Sequence, residues 1–423
     1  MLLAVAIFAV TYALIISERV NKTVAALVGG LLMILAGVLS QEEAFGAIDL
    51  NVIFLLAGMM IIANVLAESG AFEWLALMAV HLARGRPVRL LVLLGLLTAV
   101  ISAFLDNVTA VVLIAPVTLY VARELGVSAK PYLLLEVFAS NIGGTSTLIG
   151  DPPNILIGSA AGLSFTDFLV HAAPVALLIL VVLLGGIPLA VHRGIQASPY
   201  RLRAVLQIDP VSRITDYRLL VVGSVVLTLT LVGFLLHGML GLESGTIALT
   251  GAAVLLLVGK IDVNKSLRDV EWETLFFFVG LFMAVSGLEH TGALTAVGHA
   301  LVSLTGGDLS ATVLLVLWVS VLLSGIVDNI PYATAMIPVV REMSQSMGIA
   351  NGASNPLWWA LVFGADLGGN LTVVAASANV IVAGIARREG IEIGFWEFLK
   401  YGAPITFASV LIATVYVWLR YLQ

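Results

Sequence analysis

Two short polar stretches interrupt apolar sequence, Leu105-Asp106-Asn107-Val108-Thr109 and Val327-Asp328-Asn329-Ile330-Pro331. Each sets a carboxylate beside an amide, a pairing that can hold a proton or a cation and hydrogen-bond a small polar solute. Ionisable groups at membrane depth are costly enough to be read as functional by default. An offset of 222 carries Asp106 to Asp328, Gly58 to Gly280, Gly70 to Gly292, Pro116 to Pro338 and Gly126 to Gly348. Further along, an offset of 225 carries Asn141-Ile142-Gly143-Gly144 to Asp366-Leu367-Gly368-Gly369, and Asn154 to Asn379. The chain is a duplication, and both copies keep an acid, an amide and paired glycines.

The candidate substrate contacts follow from these stretches: Asn107, Thr109, Asn141, Gly143, Gly144, Thr145 and Asn154 in the first copy, and Asn329, Gly368, Gly369, Asn370, Thr372 and Asn379 in the second. The candidate proton carriers are Asp106, Asp151, Asp328 and Asp366, since desolvation penalises a charged carboxylate. Asp151 sits in a Pro-Pro turn and matches Ala376, so capping that turn is an equal reading. Glu136 matches Leu361 and is expected to pair with a neighbouring helix, and His171 is expected to make a packing hydrogen bond. His81, His192, His237, His299 and Glu289-His290 fall near span ends as interfacial groups. Trp358, Trp359, Trp396 and Trp418 suit interface belts, and Phe276-Phe277-Phe278 suits lipid or core.

The elements that would position these groups are membrane spans. Hydrophobic residues make up 60% of the chain and charged residues 11%, against about 25% charged in soluble domains. The absence of cysteine excludes disulfides, thiolate metal sites and cysteine nucleophiles. No HExxH or GxSxG motif is present, which argues against an enzyme, and the net charge of −6 argues against nucleic acid. No cofactor or metal site is expected. The apolar run that begins at Met1 has its charges, Glu18, Arg19 and Lys22, after it, and is read as a first span rather than a cleaved signal peptide.

Each half offers five spanning runs, a pair of runs meeting head to head at the Asp-Asn motif, and a run interrupted by glycine and proline. The paired runs read as a re-entrant hairpin and the interrupted run as a helix broken in mid-membrane. The expected fold is therefore an all-α polytopic membrane protein of two inverted repeats, each of five spanning helices plus one re-entrant hairpin, with broken helices at the midplane. The first repeat is 1–192, a cytoplasmic linker 193–216 and the second repeat 217–423. With five crossings per half the second copy is inverted. With Met1 outside, only Arg341 and Arg420 then fall outside, and every other Lys and Arg, Lys22 included, falls on the cytoplasmic side. Both termini are expected outside, in a bacterial inner membrane. The linker, with Arg193, Pro199, Arg201, Arg203, Arg213 and Arg218, is a possible docking face for a cytoplasmic ATPase subunit. The oligomeric state is open.

Every basic residue maps to a loop or terminus in this reading, which favours a small neutral polyhydroxy substrate or a cation over a multivalent anion. A channel, lacking a ring-forming polar helix repeated through the chain, fits less well than a carrier.

The motifs Leu105-Asp106-Asn107-Val108-Thr109-Ala110, Asn141-Ile142-Gly143-Gly144-Thr145, Ile149-Gly150-Asp151-Pro152-Pro153-Asn154 and Gly364-Ala365-Asp366-Leu367-Gly368-Gly369-Asn370 resemble the ion transporter superfamily. The resemblance covers nearly the whole chain and runs closest to the arsenical pump membrane protein and P-protein branch. It implies a scaffold part (about 1–87 and 217–309) beside an elevator-like transport part (about 88–192 and 310–423). It also implies a proton-coupled antiporter exporting arsenite or antimonite, with sodium–proton exchange or carboxylate or chloride movement as the alternative. The tips carry Asp-Asn where the sodium–dicarboxylate branch has Ser-Asn-Thr, a departure that weakens a carboxylate assignment.

Overall fold

The duplication reappears in where the helices begin. A computed structural model of the chain describes residues 1–17, 19–84, 86–191, 201 and 206–423. Glu18, His192, Arg193, Pro199 and Arg203 lie outside the described residues, as does much of the expected linker. The first half comprises α1 (Leu2–Ser17), α2 (Lys22–Leu35), α3 (Gln41–Gly46), α4 (Leu50–Glu68), α5 (Ala71–Leu82), α6 (Pro87–Phe104), α7 (Asn107–Leu125), α8 (Lys130–Gly144), α9 (Pro152–Ala161), α10 (Phe165–His171) and α11 (Ala173–Val191). The second comprises α12 (Tyr217–Leu240), α13 (Ser244–Gly259), α14 (Val263–Arg268), α15 (Trp272–His290), α16 (Ala293–Leu304), α17 (Leu309–Ser324), α18 (Asn329–Ser346), α19 (Pro356–Gly368), α20 (Ser377–Arg388) and α21 (Phe395–Tyr421). Every start from α2 to α7 recurs 222 residues later, and that of α9 recurs 225 later.

These starts have local causes. Asp49, Asp106, Asp216, Asp308 and Asp328 each accept a backbone N–H of the first turn, and Ser40 and Glu43 form a reciprocal capping box. Proline opens α6, α9 and α19, where its missing N–H breaks no bond. Gly126 and Gly162 close α7 and α9 in the left-handed region, at φ of 68° and 67°. No strand occurs among the described residues, and six of their helices are long and apolar enough to cross a membrane. Both α6 and α7 are among those six, with only Leu105 and Asp106 between them.

The halves interlock. Helix α2 packs along α15, and its equivalent α13 packs along α4, the equivalent of α15. Small residues bring the backbones together: a Cβ on Gly280 would lie 2.4 Å from the carbonyl carbon of Ala26, and one on Gly58 would lie 2.6 Å from that of Ala248. At the C-terminal end of α4, Glu68 meets Lys265 at 2.8 Å and Asn64 donates to the Asp269 carbonyl at 2.8 Å, just before α15 begins. At the other end, Glu43, just before α4, lies 4.0 Å from His290, which ends α15. The equivalent helices α4 and α15 therefore run in opposite directions, the relation that inverted repeats require.

The remaining helices pack as a second group, α6 on α8, α17 on α19, α7 on α20 and α18 on α9. Here the expectation for Trp358 and Trp359 is corrected. Both are fully buried, donating to Asn351 Oδ1 and the Ala353 carbonyl, because α19 is enclosed by other helices rather than facing lipid. Trp396 and Trp418 are exposed, Phe277 and Phe278 are core and Phe276 points outward.

Candidate functional site

Both polar tips meet at one carboxylate. Asp151 lies just before α9, where it could cap the helix, but its side chain makes no capping bond. Instead it accepts from Asn107 Nδ2 at 2.9 Å and from Asn329 Nδ2 at 3.3 Å, one amide from each tip. The turn-cap reading of Asp151 is thereby replaced by a bridge between the two repeats. Asn107 also donates to Asn141 Oδ1 at 3.3 Å, and Asn141 Nδ2 donates to Asn370 Oδ1 at 2.9 Å and Asn379 Oδ1 at 3.0 Å. A chain of amides thus connects the first tip, the first broken helix and the second broken helix.

The two breaks are held alike. Asn154 donates across the first to the carbonyls of Gly144 and Thr147 at 3.1 and 3.0 Å, and Asn379 donates across the second to those of Gly369 and Thr372 at 2.7 and 2.9 Å. Thr147 and Thr372 donate to Ala103 and Gly325, tying each break to the helix that ends at a tip. These groups spend their donors on backbone carbonyls that the breaks would otherwise leave buried and unpaired, a loss of about 1–3 kcal/mol per group.

A cavity of about 850 Å³ opens beside the tips. Asp106, Asn107, Asp151, Asp328 and Asn329 line it, and its mouth includes the exposed Val20, Asn21, Trp272 and Glu273. Of the thirteen candidate substrate contacts, only Asn107 and Asn329 reach this lining. Thr109 is occupied by Asp106, which accepts both its N–H at 2.8 Å and its hydroxyl at 2.5 Å. Thr145 donates to the Asn141 carbonyl at 2.9 Å. Gly143, Gly144, Gly368 and Gly369 serve close approach: a Cβ on Gly143 would sit 2.2 Å from the Ala99 carbonyl oxygen, and one on Gly144 2.6 Å from that of Gly150. Asn141, Asn154, Asn370, Thr372 and Asn379 lie behind the cavity wall as its internal framework.

The placement of Lys22 overturns the sequence expectation. Its Nζ reaches Asp328 Oδ2 at 3.2 Å and Ser377 Oγ at 2.9 Å, and stands over the Phe277 ring at 5.3 Å from the centroid. The cavity therefore contains a cation, the group whose expected absence argued against anions. Among the described residues it is the one Lys or Arg of the lining, against five carboxylates: Asp106, Asp151, Glu271, Glu273 and Asp328. No neighbouring motif marks it, since it opens α2 directly after Asn21, where a basic residue reads as loop charge.

Four of the remaining acids and histidines bond to neighbouring elements. Glu136, fully buried, accepts the Thr118 hydroxyl from α7, as its expected pairing with a neighbouring helix required. His171 bonds the Tyr421 hydroxyl and stacks on Trp359, His81 reaches the Ile208 carbonyl and His299 meets Glu342. Among the described residues, no group of three His, Cys, Asp or Glu could hold a metal ion.

Residues 12–364 match the CitMHS family, described as Citrate transporter. The chain belongs to the CitMHS family. An uncharacterized transporter of Mycobacterium tuberculosis is 46% identical to this CitMHS chain over 422 residues, covering 99% of it and 98% of the relative. A 46 kDa membrane protein of Mycobacterium leprae is 45% identical over 424 residues, covering 99% of each. The P protein of Homo sapiens is 34% identical over 496 residues, covering 98% of this chain and 59% of that one. In fold, the chain is similar to the crystal structure of the Alcanivorax borkumensis YdaH transporter, with a TM-score of 0.56, 17% identity and coverage of 92% of this chain and 88% of the other. This CitMHS chain is accordingly a multi-pass membrane transport protein, and the expected likeness to the P-protein group is found over 98% of its length.

Proposed function

We propose that the protein is a secondary transporter that carries a small carboxylate together with cations. The observation that carries this reading is Lys22, an ammonium in the cavity lining that meets the second tip at Asp328 and is able to exchange that partner for a substrate carboxylate. Five carboxylates around one lysine repel a bare anion. The substrate therefore enters with its charge compensated, which couples its movement to cations. Asn329 is the amide positioned to hydrogen-bond it, whereas Asn107, whose two amide hydrogens go to Asn141 and Asp151, does so only by releasing one of them. Asp106, Asp151 and Asp328 are the groups positioned to take up the accompanying charge.

The cavity mouth adjoins Arg19 and the α14–α15 connection, the basic face taken as cytoplasmic. The molecule is thus read in an inward-open state. Lys22 opens α2, in the first packing group, built on α2–α15 and α4–α13, whereas Asp328 and Ser377 stand at the starts of α18 and α20, in the other. We take the first group as the fixed part and the second as the part that moves. Transport then breaks the Lys22 contact in every cycle.

The test is uptake of labelled citrate and shorter dicarboxylates into proteoliposomes under imposed sodium or proton gradients, with arsenite as a parallel arm. Gradient-dependent carboxylate uptake is expected, and Lys22→Met is expected to lower it at least about tenfold, a loss of about 1.4 kcal/mol in transition-state stabilisation, in a protein that elutes as wild type. Wild-type uptake by that variant, or arsenite movement with no carboxylate movement, would refute the reading.

A further inference from the structure

A second cavity, of about 380 Å³, lies away from the tips, between α6, α8, α11 and α21. Its volume falls in the range of about 300–1,000 Å³ usual for ligand sites. No charged residue is among the described residues that line it, and its walls are largely aliphatic, Leu134, Leu135, Leu183 and Ile405 among them. Val182, Gly186 and Ala408 on its rim are exposed, beside the exposed apolar Val181 and Phe407. The cavity therefore opens sideways, through a surface suited to lipid.

The duplication supplies a control for this space. An offset of 225 carries Leu134 to Trp359 and Phe138 to Phe363, and one of 230 carries His171 to Tyr401, Pro174 to Pro404 and Gly186 to Tyr416. In the second repeat the equivalent space is filled by rings. Trp359 stacks on His171 at 4.9 Å, Phe363 meets Tyr416 edge-on at 6.1 Å, and the Tyr416 hydroxyl donates to the His171 carbonyl at 2.8 Å. In the first repeat Leu134 and Gly186 leave it open, and a Cβ on Gly186 would meet no atom within 4 Å. Voids of this size are rare in packed interiors, and aliphatic walls give water no hydrogen-bond partners.

The dimensions and the charge name the occupant. The α21 lining runs from Tyr401 to Ile412, about 16 Å at the α-helical rise, close to half of a hydrocarbon core of roughly 30 Å. Only the Tyr401 end is basic. The exposed Lys400 holds its Nζ over the Tyr401 ring, 5.7 Å from the centroid, and meets no carboxylate among the described residues. Lys130, adjoining the lining residue Pro131, pairs with Glu397 at 3.0 Å. Beyond Ile412 the chain continues without charge as Ala413, Thr414 and Val415. An apolar slot one leaflet deep with an ammonium at its mouth fits an amphiphile with an anionic head.

We propose that this cavity binds one acyl chain of an anionic glycerophospholipid, with Lys400 holding the phosphate. The lipid fills in the first repeat the space that aromatic rings fill in the second. The site shares no lining residue with the cavity at the tips, so it stands or falls independently of the transport reading.

The experiment is native mass spectrometry of the purified protein, released from micelles after titration with phosphatidylglycerol or with phosphatidylcholine of the same chains. Wild type is expected to retain one phosphatidylglycerol per chain at concentrations where phosphatidylcholine, needing several-fold more, is not retained. Lys400→Gln, a surface change, is expected to abolish that preference. Gly186→Tyr, which installs the residue of the second repeat, is expected to retain one phosphatidylglycerol fewer while eluting as wild type. Equal retention of the two lipids by wild type, or an unchanged preference in Lys400→Gln, would overturn the site. So would a Gly186→Tyr variant that elutes as wild type and keeps the full phosphatidylglycerol count, or a lipid-free wild-type dimer that Gly186→Tyr separates, which would assign the cavity to a second copy of the chain.

Discussion

Asn141 offers the sharpest test of the amide framework. It is fully buried, accepts from Asn107 at 3.3 Å and donates to Asn370 at 2.9 Å and Asn379 at 3.0 Å. Asn141→Leu keeps an uncharged side chain of comparable length but removes these three bonds and a longer one to the Gly369 carbonyl at 3.5 Å. Asn107 retains its bond to Asp151, so the principal loss is two buried acceptors, the Oδ1 atoms of Asn370 and Asn379. At about 1–3 kcal/mol for each orphaned group, the variant should lose about 2–6 kcal/mol of stability. Asn379→Leu should be comparably harmful, since it orphans the Gly369 and Thr372 carbonyls. In the double variant the shared Asn141–Asn379 bond is lost once rather than twice, so the two effects should fall short of additivity by about 0.5–3 kcal/mol. Reversible unfolding in mixed micelles, followed by far-ultraviolet circular dichroism, measures all four corners of the cycle. A loss under about 1 kcal/mol for Asn141→Leu, or strict additivity, would show that the amides do not carry the framework.

Two further expectations test the packing. Gly280→Val should prevent assembly of the folded protein, because its Cβ alone would stand 2.4 Å from the Ala26 backbone; a monodisperse variant with wild-type melting on size-exclusion and thermal assays would contradict the close helix crossing. Trp359→Ala should lose about 3–5 kcal/mol as a buried aromatic, whereas Trp396→Ala, 78% exposed, should stay within about 0.5 kcal/mol. Parallel melts of the two variants decide between an enclosed α19 and one facing lipid.

The parts of this architecture visible in sequence are those that local chemistry sets. The repeat offset predicts recurring helix starts because the same caps, Asp106 and Asp328, stand before the same apolar runs. The glycine and proline stretches mark the breaks because they leave backbone groups unpaired. What sequence did not reveal depends on which helix stands beside which. Lys22 looks like loop charge until α2 lies along α15 and its amine reaches the tip before α18. Trp358 and Trp359 look like belt residues until other helices cover α19. Asn154 and Asn379 look like ligands of a solute, although each lies seven and ten residues after the carbonyls it holds. That spacing, repeated in both halves, was the available signal.

The exchange of partners between α2–α15 and α4–α13 bears on how the protein is made. Each half keeps a helix whose contact surface is completed only by the other half, so the N-terminal repeat must remain in the bilayer with open helix flanks until the C-terminal repeat has been synthesised. Assembly is therefore a late event in biogenesis, and the interval before it is when membrane quality control has access to the nascent chain.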